Sequence, residues 1–498
     1  MFDILNNILY DTSYFSEEMF MFIPDIFWIL STTLLLIASV TISSKVKSLK
    51  ISKLVIELTI PIILLSLFFL VLLKDLNIIS TLTLKIDSFY YFFRLLFLIF
   101  FFFCLYTYKY SFFLDKIYLY EFPIILLLSV EGSFLMLMTD NLFTFYLALE
   151  LQNLCFYIMA SLKRYSNFST EAGLKYFLLG VFSSSILLFG ISLIYGILGT
   201  LDLREINILI SYEQFNNLNY LLVISLFFFI CGLLFKFGSF PFHYWVMDVY
   251  EGSPTIVTMF FSIFPKIVLA FFFVKLYFLL FIFDLRFFSI LFLICGLFSI
   301  FIGILNAMYQ YKIKRFFAYS SIVNVGFILI AFSIMTFDGF FSGLYFVFCY
   351  LFSISLIFFL LINIRRYNLK EFFNLFDFSK LNSSNTIILI YICFIFLSFA
   401  GIPPLIGFFG KFFVFFSLFN SYNYLVLFIL LFLSVISSFY YLRVIRFIYF
   451  TKIFEFNYFY YINLNYMFYL IFYFNVLFFF FFDFFGEFFY FTLIRTFF

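Results

Sequence analysis

A helical protein that crosses a membrane many times is the fold class this sequence predicts, and three observations predict it. Of its 498 residues, 66% are apolar and only 11% charged, where a soluble chain carries roughly 25% charge. Apolar runs of about 20 residues, enough for a helix to span a bilayer, recur along the whole chain. Lysine and arginine collect in alternate gaps between those runs. A soluble fold is excluded.

Fourteen runs emerge, at 21–43, 54–73, 89–107, 121–139, 142–162, 169–198, 220–246, 254–280, 287–309, 315–336, 340–364, 386–419, 423–448 and 466–487. The fourth and fifth carry Glu131 and Glu150 near their middles. The sixth carries Lys175, the seventh Lys236, the eighth Lys266 beside Pro265, and the twelfth Lys411. Two runs are interrupted by helix breakers, the seventh by Lys236-Phe-Gly238-Ser-Phe-Pro241 and the twelfth by Ala400-Gly401-Ile402-Pro403-Pro404. The last holds the Phe-rich stretch from Leu477 to Phe482, which reads as lipid-facing.

Charge bias fixes an orientation. With fourteen spans, loops after odd-numbered ones hold eighteen Lys and Arg and loops after even-numbered ones hold four. Basic residues of short loops stay on the cytoplasmic-equivalent side, so both termini are predicted on the opposite side. Arg94 and Lys275 lie near span ends and are predicted to snorkel to the interface.

Several chemistries lack residues. The six Cys lie singly in apolar runs and His243 is the one histidine, which leaves no set for an iron–sulfur cluster, a bis-His haem or a zinc site. No glycine-rich phosphate loop occurs, and a formal charge of +3 does not point to nucleic acid. The first twenty residues hold four acids and no base, unlike a cleavable presequence. The 97 Phe follow no structural period and read as compositional bias.

The two interrupted spans are five apart. Five is odd, so units of five spans are predicted to sit inverted relative to each other, and broken helices at matching places of inverted repeats point to an ion path near the midplane. The organisation predicted is three leading spans (1–120), a first repeat of spans four to eight (121–280), a second of spans nine to thirteen (287–448), and a last span with its tail (449–498).

Each deep charge costs roughly 2.5–3.5 kcal/mol to insert, so Glu150, Lys175, Lys236, Lys266 and Lys411 together call for a function. Buried lysines can take up and release protons, and Glu150, if close to Lys175, would set how tightly that lysine holds its own. Singly, each has a structural reading as a buried pair or a snorkelling stem. Glu131 reads either as a second acid of the path or as a carboxylate facing a wet cavity. His243, in Pro-Phe-His-Tyr-Trp just past the first break, reads either as a relay member or as a hydrogen-bonded structural histidine.

Five segments carry a resemblance. They are Tyr146-Leu-Ala-Leu-Glu150-Leu-Gln, Phe168-Ser-Thr-Glu-Ala-Gly-Leu-Lys175-Tyr, the stretch from Phe235 through Lys236, His243, Asp248 and Glu251 to Pro254-Thr, Lys314-Arg315-Phe-Phe-Ala-Tyr-Ser-Ser321-Ile, and Ala400-Gly-Ile-Pro-Pro404 through Gly410-Lys411-Phe. In order and spacing they resemble the chain 2 family of antiporter-like membrane subunits of respiratory NADH–ubiquinone oxidoreductase, over roughly 120–420. The resemblance implies fourteen helices with inverted five-helix repeats and proton translocation driven by redox chemistry in other subunits. It implies Glu150 as the acid, Lys175 as its partner, Lys236 as central lysine, Lys266 as linking lysine and Lys411 as terminal lysine. No cofactor is expected in this chain; NADH, FMN, iron–sulfur clusters and ubiquinone are expected in other subunits. The partners implied are the neighbouring membrane-arm subunits and lipid, in the mitochondrial inner membrane, with both termini in the intermembrane space.

One position departs from the family. Asn324, in Ser320-Ser321-Ile-Val-Asn324-Val-Gly326, stands where the family usually has His, and an amide cannot titrate; a relay there would run through water. Two rival readings are a stand-alone cation/proton antiporter subunit and a structural spacer with vestigial charges.

Overall fold

The computed structural model describes residues 22–43, 48–72, 79–80, 84–115, 119–212, 219–280, 285–366, 374–378, 386–450, 459–461 and 466–497. The termini-side prediction falls partly outside them, since residues 1–21 and Lys45, Lys47, Lys74, Lys116, Lys370, Lys380 and Lys452 are not among those described.

The chain is helical: α1 Ile23–Ser43, α2 Ser48–Leu72, α3 Ser88–Asp115, α4 Glu121–Met138, α5 Leu142–Ala160, α6 Asn167–Leu198, α7 Leu203–Tyr212, α8 Asn219–Phe237, α9 Tyr244–Gly252, α10 Thr255–Leu280, α11 Leu285–Tyr309, α12 Ile313–Ser333, α13 Phe337–Asn363, α14 Thr386–Ala400, α15 Ile406–Asn420, α16 Tyr424–Phe450, α17 Tyr466–Leu477 and α18 Phe482–Phe497. Among the described residues, strand is confined to two short antiparallel pairs, Ile79–Ser80 with Lys85–Ile86 and Ile364–Arg366 with Phe459–Tyr461. Twelve described helices are long and apolar enough to cross a membrane, or thirteen if the bent pair near the C-terminal end is one span; α14 and α15 are shorter apolar helices.

Helix is what lipid demands, because every backbone polar group must be satisfied within the segment. Hydroxyls inside the helices obey the same rule: those of Ser129, Ser225 and Ser299 each donate to the carbonyl three residues back at 2.7 Å. The centre of the molecule is α10, α12 and α13, whose spanning stretches are almost wholly buried, while α1 and α16 lie at the periphery. Those three central helices carry Lys266, Asn324 and Tyr350.

The two segments rich in breakers share a local form. Helix α8 stops at Phe237 and α14 at Ala400, and each is followed by a glycine with positive φ, Gly238 at 77° and Gly401 at 85°. A residue with a Cβ adopts that conformation only at a cost. Three residues later stands a proline, Pro241 and Pro404, each after a cis peptide bond.

Three expectations are corrected. Arg94 does not snorkel: it is fully buried, its Nη1 lies 2.7 Å from Asp25 Oδ1, and its guanidinium stacks over Phe134 at 4.6 Å. Its pairing with α1 supplies the charge partner that an interface would otherwise provide. Lys275 is also buried, with Nζ 2.5 Å from Asp140 Oδ1. The Leu477–Phe482 stretch is not all lipid-facing: Phe478 is buried against Tyr345 and Phe409, and the helical run bends by 87° between Phe468–Phe480 and Phe482–Phe491. Phe479, Phe480 and Phe481 are exposed, as expected of a lipid-facing stretch.

Candidate functional site

Glu150 sits half-buried on α5 and accepts a hydrogen bond from Asn153 at 3.2 Å. Tyr157 follows it by two helical turns, on the same face, about 10 Å further along the axis. Its hydroxyl accepts from Lys236 Nζ at 3.2 Å, and Lys236 donates also to the Gly180 carbonyl at 3.1 Å. Gly180 is required here, since a Cβ on it would come within 2.1 Å of the Tyr157 hydroxyl oxygen. Lys236 lies in the last turn of α8, where the helix dipole favours a cation.

Lys266, buried on α10, donates to the Tyr350 hydroxyl on α13 at 2.9 Å and lies 4.6 Å from the centre of that ring. Beyond Tyr350 a cavity of about 20 Å³ is lined by Asn324, Tyr350, Ser353, Ser398 and Lys411, with others. That is room for about one water molecule. The Asn324 Nδ2 is buried without a hydrogen-bond partner. Lys411 Nζ donates to the carbonyls of Ala400 at 2.8 Å and Phe399 at 3.2 Å. These belong to the last turn of α14, which have no acceptor role inside the helix, so Lys411 caps the helix that precedes its own.

Glu150, Tyr157, Lys236, Lys266, Tyr350, Asn324 and Lys411 are thus brought to facing helices in the protein's interior. Lys175 is not among them. Its side chain is 43% exposed and pairs with Glu171 at 2.7 Å and Asp248 at 2.8 Å, not with Glu150. The reason is position: Glu171 lies one turn before it on α6, and α9 brings Asp248 to the same end. With Glu251, Lys312 and Arg315 these residues line a cavity of about 130 Å³. Glu131 is half-buried on α4, which packs against α1, the helix that carries Asp25. His243 is buried at the start of α9, stacked on Tyr244 at 4.4 Å, with Nδ1 unpartnered; none of its hydrogen bonds reaches a lysine of the row.

Sequence reasoning missed the two tyrosines. Tyr157 had a usable signal, seven residues after Glu150 on the same helix face; Tyr350 had none, because only the packing of α13 on α10 puts it beside Lys266. Among the described residues no three His, Cys, Asp or Glu side chains converge to hold a metal ion.

Residues 139–437 match the family model of the NADH:quinone oxidoreductase/Mrp antiporter transmembrane region. The NADH-ubiquinone oxidoreductase chain 2 of Marchantia polymorpha is 39% identical over 363 residues, covering 72% of this chain and 73% of the relative. The chain belongs to this membrane-subunit family, in its chain 2 branch. A bacterial relative, NADH-quinone oxidoreductase subunit N of Pelagibacter ubique, is 34% identical over 66% of this chain and 68% of its own. The fold is that of a chain in the respiratory complex I of Thermus thermophilus, with a TM-score of 0.73 at 24% identity, over 91% of this chain and 96% of that one. The matched family region contains every residue of the interior row.

Proposed function

We propose that this chain is a proton-translocating membrane-arm subunit of NADH:ubiquinone oxidoreductase in the mitochondrial inner membrane. NADH oxidation and quinone reduction, with FMN and iron–sulfur clusters, belong to other subunits, and neighbouring antiporter-like subunits are its partners. The observation that carries this is the Lys266–Tyr350 hydrogen bond together with the one-water cavity that Tyr350 shares with Asn324, Ser353, Ser398 and Lys411. On this reading a water in that cavity joins two buried amines across an apolar interior.

The mechanism is a charge relay. Glu150 gains or loses its charge, and Lys236 responds through Tyr157; the proton then moves by Lys266 and Tyr350 to Lys411. One charge at about 10 Å is worth about 1.7 kcal/mol at an effective dielectric near 20, roughly a tenfold change in an equilibrium. Lys175, with Asp248 and Glu171, stands at the exposed end as a collecting group. Asn324 holds a water in the cavity, His243 is a structural neighbour at the start of α9, and Glu131 is a reserve acid.

We read α14 and α15 as one broken twelfth span and α8 with α9 as a broken seventh. Counting the bent pair as one more brings the total to fourteen, with repeats over 121–280 and 287–448 inverted relative to each other. The matching glycine and proline spacing of the two breaks supports this. Both termini then face the intermembrane space.

Lys411→Met tests the reading, since it keeps an apolar stem and removes the amine. In an enzyme that assembles fully, NADH–quinone turnover and proton uptake should fall together, and the chain should migrate with that activity in one large assembly. Full activity in the assembled variant overturns the relay.

A further inference from the structure

Away from that row, a second charged cluster is built into the opposite ends of the helices that carry Glu150 and Lys266. Asp140, 1% exposed, lies in the corner between α4 and α5. Its Oδ1 is 2.5 Å from Lys275 Nζ on α10, and its Oδ2 accepts from Arg204 on α7, at 3.0 Å from Nε and 2.5 Å from Nη2. Lys275 also donates to the Thr139 carbonyl. The corner's backbone is stitched as well: Leu142 N donates to Leu201 O at 3.0 Å and Leu203 N to Asp140 O at 2.9 Å. Burial alone would push the Asp140 carboxyl up, but Lys275 and Arg204 hold it below the ordinary carboxylate range.

The pairing sets a register. From Asp140 against Lys275 the two helices run antiparallel, with Phe145 stacked on Phe272 at 3.4 Å between ring centres and Phe156 against Phe260 at 5.8 Å. Stepping along both helices from the ion pair, Glu150 stands about 15 Å from its end and Lys266 about 13 Å from its own. The acid of one helix and the linking lysine of the other are therefore held at the same level. Sliding either helix by one residue would displace one charge relative to the other by about 1.5 Å.

We propose that Asp140, with Lys275 and Arg204, is a positioning set for proton transfer: it locks α5 against α10 so that ionisation of Glu150 is felt by the lysines at fixed separation. This rests on the relay reading above. None of the three residues carries a proton along the path. They act through the placement of Glu150 and Lys266.

The test uses the intact complex in sealed membranes, with NADH–quinone turnover, proton uptake and assembly measured together. Asp140→Asn should slow proton uptake several-fold in assembled enzyme, and Asp140→Glu should restore most of it. Combined with Glu150→Gln, Asp140→Asn should cost little more than Glu150→Gln alone, because residues acting through one element are not additive. Additive losses mean a merely structural role and overturn the proposal. A silent Asp140→Asn beside an impaired Glu150→Gln overturns the positioning alone, whereas a silent Glu150→Gln overturns the relay and this proposal with it. Should Asp140→Asn fail to assemble, Lys275→Gln, which keeps a donor for the Thr139 carbonyl, takes its place with the same expectations. Loss of assembly in both overturns positioning in favour of folding.

Discussion

The Tyr350 hydroxyl on α13 accepts the hydrogen bond of the Lys266 ammonium on α10 at 2.9 Å, and the same tyrosine lines the cavity that reaches Lys411. Among the described residues it is the hydrogen bond by which Lys266 reaches from its own helix towards the second half of the chain. Tyr350→Phe keeps the ring under the ammonium and removes only the acceptor. An unmade hydrogen bond to a buried group costs about 1–3 kcal/mol, so assembly should survive. Proton uptake should fall several-fold, read alongside NADH–quinone turnover; wild-type uptake would show that the path does not use this hydroxyl.

Asn324 offers a sharper test of water in the cavity. Its Nδ2 is buried and unpartnered, and the space beside it holds about one water. Asn324→His should leave proton uptake nearly unchanged, since a ring nitrogen also bonds water. Asn324→Leu should slow it by removing both polar atoms. Equal activity in the two variants would place the proton elsewhere.

Asp25 and Arg94 belong to a different account, that of folding. Their pair is buried between α1 and α3, far in sequence from the relay lysines. Removing one partner of a buried pair costs roughly 3–5 kcal/mol because the other charge is left uncompensated. Asp25→Asn should therefore lower the amount of heat-stable assembled complex, measured by native electrophoresis after warming. Asp25→Asn with Arg94→Met should recover much of it. No recovery in the double variant means that the pair is not what holds α1 in place.

How far the sequence could be read divides along one physical line. Hydropathy and breakers are local, so helices and the sites of Gly238 and Gly401 were legible from residue order. Lys236, Lys266 and Lys411 were legible as deep lysines too, because a charge in an apolar run costs energy whatever its neighbours, whereas Lys175, also read as deep, is 43% exposed. Partners were not. Lys175 and Glu150 occupy successive spans and suggested a pair, but Glu171 lies one turn away on the same face and α9 delivers Asp248, so the closer carboxylates win. Arg94 and Lys275 misled for the same reason: nearness to a span end implies snorkelling only when no buried carboxylate is within reach, and Asp25 and Asp140 come from other helices. Tyr350 carried no signal at all until α13 packed on α10.

The coupling between Glu150 and Lys236 is the last point to test, because both the acid and the amine are needed for a relay that works by charge. Glu150→Gln keeps shape and hydrogen bonding to Asn153 but cannot ionise. Lys236→Met keeps the apolar stem, leaves the Tyr157 hydroxyl and the Gly180 carbonyl without their donor, and removes the titratable amine. Each change alone should depress proton uptake and NADH–quinone turnover together in assembled enzyme. If Tyr157 transmits the effect of Glu150 to Lys236, the double variant should be little worse than the worse single one, since coupled residues are not additive. Two independent contributions would instead multiply their losses. A fully assembled Glu150→Gln enzyme with normal turnover and pumping would remove Glu150 from the mechanism and leave Glu131 as the acid to examine.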